Sequence, residues 1–184
     1  MSNQQVILVD EHDNALGVMD KMEAHQKGLI HRAFSIFVFN SRGEMLIQQR
    51  ALGKYHSAGL WSNSCCSHPL PGEEVKEAAT RRLNEELGFE TFLEKIFDFI
   101  YQVSFENGLV ENEFDHVFVG HYDGSIKINS EEVNDYAFKP MEQIRQELKD
   151  KPENYTEWFK ISFPKIETWW NDYYRHRVTD KFFQ

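Results

Sequence analysis

Two cysteines occur in the chain, and they are adjacent, within Trp61-Ser-Asn-Ser-Cys-Cys-Ser-His-Pro-Leu-Pro-Gly-Glu73. Side chains alternate between faces in an extended segment, so Cys66 and His68 share one face while Cys65 and Ser67 share the other. A thiol then stands beside a histidine, which places a group able to carry a proton next to a possible metal ligand. The competing reading makes Cys65 and Cys66 small core residues and His68 a satisfied loop histidine. Which reading holds depends on the elements around the segment.

At 184 residues, 41% hydrophobic and 14% aromatic, the chain reads as one globular domain spanning 1–184, with a core of about 6–170. Adjacent cysteines do not bridge each other comfortably, so both thiols are expected to be free, as in a reducing compartment. No run has the length of a membrane span, and the N-terminus lacks the basic-then-apolar order of a signal peptide. A soluble, cytoplasmic protein is the expectation. A net charge of −10 argues against nucleic acid, which needs a basic footprint, but leaves room for a small anion met by a local cationic cluster.

Residues 6–9 and 16–19 predict an opening hairpin, and 33–39, apolar at nearly every position, a strand covered on both faces. Asn40-Ser-Arg-Gly43 is a turn into the returning strand Met-Leu-Ile-Gln-Gln-Arg50. Between them lies a polar stretch, Asp20 to Gly28. His25 and His31 flank its end, too far apart to share a helical turn or a strand face, and read as a solvated loop pair. Arg50 and Lys54 read as surface charge or, together, as an anion site.

From Glu73 to Leu87, Val75, Ala79, Leu83 and Leu87 recur every fourth residue, acids fill the first turn, and Gly88 follows the last, predicting a helix. Its other side carries Arg81, Arg82, Glu85 and Glu86, a solvated face by default. Phe97, Phe99, Tyr101, Val103 and Phe105 alternate along a strand with one aromatic side. Glu111 and Glu113 open the next strand on one face. Carboxylates so placed repel unless exposed to solvent or bridged by a cation, and both readings stay open. A further strand near 131–138, a helix from Pro140 and a helix over Trp158–Trp170 complete the domain, followed by a polar tail over Arg175–Gln184 that is frayed or a surface extension.

Glu73, seven residues, then Arg81-Arg82-Leu83-Asn84-Glu85-Glu86-Leu87-Gly88-Phe89 resembles the Nudix box. Two positions depart from it: Ser67 stands at the box glycine, and Arg82 at a metal-binding glutamate of the diphosphate-cleaving members. With Asn63-Ser-Cys-Cys66-Ser-His68-Pro, Glu111-Asn-Glu113, Arg50-Ala-Leu-Gly-Lys54, His25 and His31, the chain from about Val6 to Trp170 closely resembles the type I isopentenyl-diphosphate isomerases.

This resemblance implies an α/β fold, a Nudix-type α/β/α sandwich around a mixed sheet, and interconversion of isopentenyl and dimethylallyl diphosphate in isoprenoid synthesis. It implies that His25, His31, His68, Glu111 and Glu113 bind one divalent metal, Mn²⁺ or another such as Mg²⁺ or Zn²⁺. Glu86 would help hold a second Mg²⁺ near the diphosphate. Lys21, Arg50, Lys54 and Ser67 would bind the substrate, an allylic or homoallylic diphosphate, with neither nucleic acid nor membrane as partner and the protein a monomer or weak homodimer.

Such a reaction adds a proton at one carbon and removes one at another. Without a carbonyl to stabilise a carbanion, the intermediate is a tertiary carbocation in a dry pocket. The resemblance assigns Cys66 and Glu113 to flank the substrate and Tyr101 to assist protonation. Cationic neighbours are expected to favour the Cys66 thiolate, and Trp61 or Phe163 to stabilise the cation. Cys65 is expected in the core. The alternatives are a Nudix diphosphohydrolase, favoured by the helix and opposed by Arg82, and a catalytically dead binding module.

Overall fold

The longest buried runs occupy the centre of the molecule, where both faces of a strand are covered. They are β3 (His31–Phe39) and β8 (Val110–His121), which pair in parallel from His31 opposite Glu113 to Phe39 opposite His121. The computed structural model describes residues 4–182, with side chains through Tyr173. β1 (Gln5–Val9) and β2 (Ala15–Asp20) form the expected hairpin, and β1 joins β3 antiparallel. β7 (Leu93–Ser104) pairs antiparallel with β8, and β9 (Val133–Lys139) with β4 (Met45–Arg50). The sheet is therefore mixed.

Its two faces carry separate cores. Phe37, Phe39, Val117 and Val119 pack against Ile144 of α3 (Met141–Asp150) and Phe159, Phe163 and Ile166 of α4 (Glu157–Phe182). Phe34, Ile36, Val38 and Phe118 pack against Ala78, Ala79, Leu83 and Leu87 of α2 (Val75–Leu87). This is the α/β/α sandwich expected, and each buried aromatic contributes about 1.5–3 kcal/mol of hydrophobic stabilisation. Two helices differ from expectation. α2 begins at Val75, because the Glu73 carboxylate accepts from the Leu70 amide in the preceding turn. α4 runs on to Phe182, so of the two readings of the tail the helix removes the frayed one and leaves an extension; residues 183–184 lie outside the described residues. Among the described residues no helix is long and apolar enough to cross a membrane.

The cysteine segment enters where two strands part. β3 and β4 pair only at Val38–Leu46 and Phe39–Met45. Beyond that point β5 (Trp61–Ser62) takes β4 as partner and β6 (Cys65–Ser67) takes β3. Ser64 closes the split: its hydroxyl accepts from the Val38 amide at 2.8 Å and donates to the Leu46 carbonyl at 2.7 Å. Buried backbone groups left orphaned by the divergence thus gain partners. Held this way, Cys65 is fully buried beneath α2, and Cys66 faces the α4 side. The alternation expected across Cys65 and Cys66 is therefore real.

The polar stretch after β2 is a helix, α1 (Lys21–Lys27), capped by the Asp20 side chain on the amides of Met22 and Glu23. Gly28, at φ +62°, ends it in the left-handed conformation and turns the chain back into β3.

Candidate active site

That turn brings His25 and His31 together, with ring centroids 4.8 Å apart and both side chains buried. They are not a solvated loop pair. His68, just past β6, lies 5.0 Å from His31 and 5.9 Å from His25 between centroids. Glu113 stands opposite His31 in the β3–β8 register, its Oε1 2.8 Å from His68 Nε2 and 3.5 Å from His31 Nε2. One ligand atom from each of His25, His31, His68 and Glu113 lies within 4.8 Å of the others.

The donor set fits a divalent metal ion. His25 Nδ1 sits 2.6 Å from the Lys21 carbonyl and His31 Nδ1 2.8 Å from the Leu29 carbonyl. A carbonyl only accepts, so both Nδ1 atoms carry the hydrogen and both Nε2 atoms present lone pairs. These buried Nε2 atoms make no hydrogen bond, nor does His68 Nδ1. Burial lowers the pKa of His25, and burial together with Lys21 pushes His68 down to about 3, so both imidazoles are neutral, as ligands must be. Burial works against the Glu113 carboxylate, but His68, whose Nε2–H can donate to Oε1 at 2.8 Å, outweighs it and holds the group well below the usual range. Glu111, the expected fifth ligand, is buried on the same face beside this group, and its pKa is raised by burial and by Glu113.

The group borders a cavity of 380 Å³, at the small end for a ligand pocket. Cys66, Ser67, Tyr101 and Glu111 also line it, as do Lys21, Arg50, Lys54, Arg82 and Glu86. The cations form the local cluster that an acidic protein needs to hold an anion. Arg50 and Lys54 are therefore not merely surface charge, and the far side of α2 is not simply a solvated face. Arg82 donates to Glu86 at 2.6 Å, and Glu86, buried, accepts from Gln48 at 2.9 Å. Arg81 keeps to the outside, bound to Glu73 and Glu85. Ser67 reaches the cavity although alternation placed it with Cys65, because β6 ends there.

Two expectations fail. Burial pushes the Cys66 thiol up, against the opposing pull of Arg50 and with Glu86 and Glu113 adding to it, so Cys66 is a thiol and not a thiolate. Neither Trp61 nor Phe163 faces the cavity: Trp61 lies under Lys139, whose Nζ is 5.2 Å from its ring, and Phe163 is buried against Phe159. The aromatic walls are Trp158, Tyr55 and Tyr101. The Trp158 indole is held by its Nε1 donating to Ser62 Oγ at 2.8 Å. Sequence reasoning also passed over His56, Gln48 and Glu132, which line the same cavity; isolated polar residues in a loop or strand gave no periodic signal.

The fold and this site define a NUDIX-domain protein whose box helix meets a histidine–glutamate cluster: the NUDIX domain family matches residues 29–159. Two solved structures share the fold. A protein of Deinococcus radiodurans, DR0079, superposes with a TM-score of 0.67 at 19% identity, covering 80% of this chain and 90% of its own. The MutT protein of Methanosarcina mazei gives 0.60 at 22% identity, covering 76% and 94%. In sequence the chain is 49% identical over 162 residues to isopentenyl-diphosphate Delta-isomerase 2 of Aromatoleum aromaticum, 88% of this chain and 86% of that one. It is 48% identical over 166 residues to the isopentenyl-diphosphate Delta-isomerase of Pectobacterium atrosepticum, 90% and 93% of the respective lengths. The chain belongs to the isopentenyl-diphosphate Delta-isomerase family of NUDIX-domain proteins.

Proposed function

We propose that the protein interconverts isopentenyl diphosphate and dimethylallyl diphosphate by proton addition and removal through a tertiary carbocation. The observation that carries this reading is the division of one cavity: Lys21, Arg50, Lys54 and Arg82 line it together with Cys66, Tyr101 and Glu113. The cations bind the diphosphate, and Ser67 borders the same anion. The hydrocarbon end then lies among the proton carriers.

One proton must enter at one carbon and another leave at its neighbour-but-one. Cys66 holds a proton on sulfur, while Glu113 is ionised with Tyr101 Oη 2.5 Å from its Oε2. Each half of the pair can therefore give or take a proton, and turnover exchanges thiol and carboxylate for thiolate and carboxylic acid. Tyr101 shares the proton on the Glu113 side. Trp158 and Tyr55 wall the cavity with aromatic faces, which attract a cation and exclude water.

His25, His31, His68 and Glu113, with Glu111 beside them, would hold one divalent ion, Mn²⁺ or another such as Mg²⁺ or Zn²⁺; Glu86 would help hold Mg²⁺ with the diphosphate. Bound there, a divalent cation supplies positive charge that keeps Glu113 ionised. Arg82 at the box glutamate already neutralises Glu86, which weighs against a hydrolase.

Proton NMR of isopentenyl diphosphate incubated with the protein and Mg²⁺ in D₂O tests the reading. Dimethylallyl diphosphate carrying solvent deuterium is the expected product. Inorganic phosphate or diphosphate without exchange would mean hydrolysis.

A further inference from the structure

The loop from residue 51 to residue 60 borders the cavity between β4 and β5, and it carries a histidine that the proton steps above do not use. His56 has a side chain only 6% exposed. Its ring lies nearly parallel to Phe105, 4.8 Å away with 22° between planes, and meets Trp158 edge-on at 5.9 Å and 90°. Tyr55 closes a third side at 4.5 Å and 86°. Packing of this kind suits a phenylalanine. An imidazole in such surroundings is costly unless its nitrogens face partners.

Both do. Nδ1 lies 3.3 Å from Ser57 Oγ, and Nε2 lies 3.4 Å from Glu111 Oε1. The other oxygen of Glu111, Oε2, is 3.4 Å from Tyr101 Oη, the hydroxyl that also meets Glu113. One carboxylate thus spans His56 and Tyr101, and its rotation would disturb the hydroxyl. The backbone of the same residue reaches the anion end, where the His56 carbonyl accepts from Arg50 Nη2 at 3.4 Å. Arg50 in turn lies 5.0 Å over the Trp158 ring. His56 therefore touches the Glu111 carboxylate, the aromatic wall and, through its carbonyl, a cation.

We propose that His56 is a positioning residue for the isomerisation, holding the Glu111 carboxylate against Tyr101 while its ring steadies the Trp158 indole. The proposal rests on the reaction proposed above. It acts through groups already placed, so it should govern turnover far more than affinity for the diphosphate.

The experiment is steady-state kinetics with isopentenyl diphosphate and Mg²⁺ on the full chain, wild type beside His56→Phe and His56→Gln. Phenylalanine keeps the stack on Phe105 and loses both nitrogens, so the variant folds and isolates the polar contact. We expect kcat to fall about 10–100-fold, the usual effect of losing a partner that orients a site ligand, with KM changing less than about threefold. Glutamine returns an N–H near the place of Nε2, and we expect it to recover most of the lost kcat. An active wild type with His56→Phe at wild-type kcat, a loss confined to KM, or His56→Gln no better than His56→Phe would each overturn the positioning role alone. A wild type that turns over no isopentenyl diphosphate would overturn the reaction, and the role with it.

Discussion

Tyr101 Oη lies 2.5 Å from Glu113 Oε2, and the two residues face each other as a register pair of β7 and β8. Directly opposed residues of an antiparallel pair hold their Cβ atoms about 4.5–5.5 Å apart, so the sheet itself sets this contact. Burial, with Glu111 and Glu113 nearby, keeps the phenol protonated. Tyr101→Phe fills the same space without the hydroxyl. A proton partner of this kind contributes about 100-fold or more, so kcat should fall by that order while the unfolding midpoint holds. A variant turning over at the wild-type rate would remove Tyr101 from the proton path.

The neighbouring cysteines make an internal control, because β6 sends them to opposite faces. Cys66→Ala deletes a proton carrier at the cavity, and Glu113→Gln deletes the other; each should stop deuterium incorporation from D₂O, with near-native circular dichroism. Cys65→Ala removes one buried atom under α2 and should cost about 1 kcal/mol of stability, with isomerisation preserved. Equal loss of activity in both cysteine variants would refute the assignment.

Legibility followed burial. β3, β8 and α2 could be read because apolar periodicity records which face is covered, and Glu111 with Glu113 because two residues along a strand share a face. The histidine cluster could not be read from spacing: it depends on the left-handed Gly28 and on the parallel register that sets Glu113 beside His31. A signal was present all the same, since Asp20 before and Gly28 after the polar stretch are cap residues that mark α1. Trp158 was out of reach, because its place depends on a hydrogen bond to Ser62, 96 positions away. The Cys66 thiolate was misjudged because cations are visible in a sequence, whereas burial depth at one residue is not.

The buried Nε2 atoms of His25 and His31, which make no hydrogen bond, turn metal binding into a stability effect as well as a chemical one. An ion that binds only the folded chain stabilises it by about 2.7 kcal/mol at a hundredfold excess over Kd. For a domain of this size that raises Tm by roughly 5–10 °C. Adding Mn²⁺ to chelator-treated protein should produce such a rise in differential scanning calorimetry, and His25→Ala should abolish it while the metal-free protein still melts cooperatively. A Tm indifferent to the metal would dissolve the proposed centre.

In the metal-free protein the buried histidines should also cost stability in mild acid. Burial, with Lys21 beside His68 and Arg50 beside His56, pushes both imidazoles down to about 3. In the unfolded chain each takes a proton near pH 6.5. Below that pH the unfolded state binds protons that the fold refuses, so stability present above about 6.5 is lost as the pH falls towards about 3. The slope approaches about 1.4 kcal/mol per pH unit for each histidine that stays neutral in the fold. Glu111 and Asp115 oppose this slope, because burial raises their carboxyls in the fold and lets them keep protons that the unfolded chain releases, so the histidine contribution is isolated by comparing variants. Between pH 7 and pH 5.5 the stability of the chelator-treated wild type, read from urea midpoints, should therefore fall relative to that of His56→Phe, which lacks one of the two groups. A difference between the two that does not change with pH would show that the fold admits the His56 proton, and the tight burial inferred for His56 would be wrong.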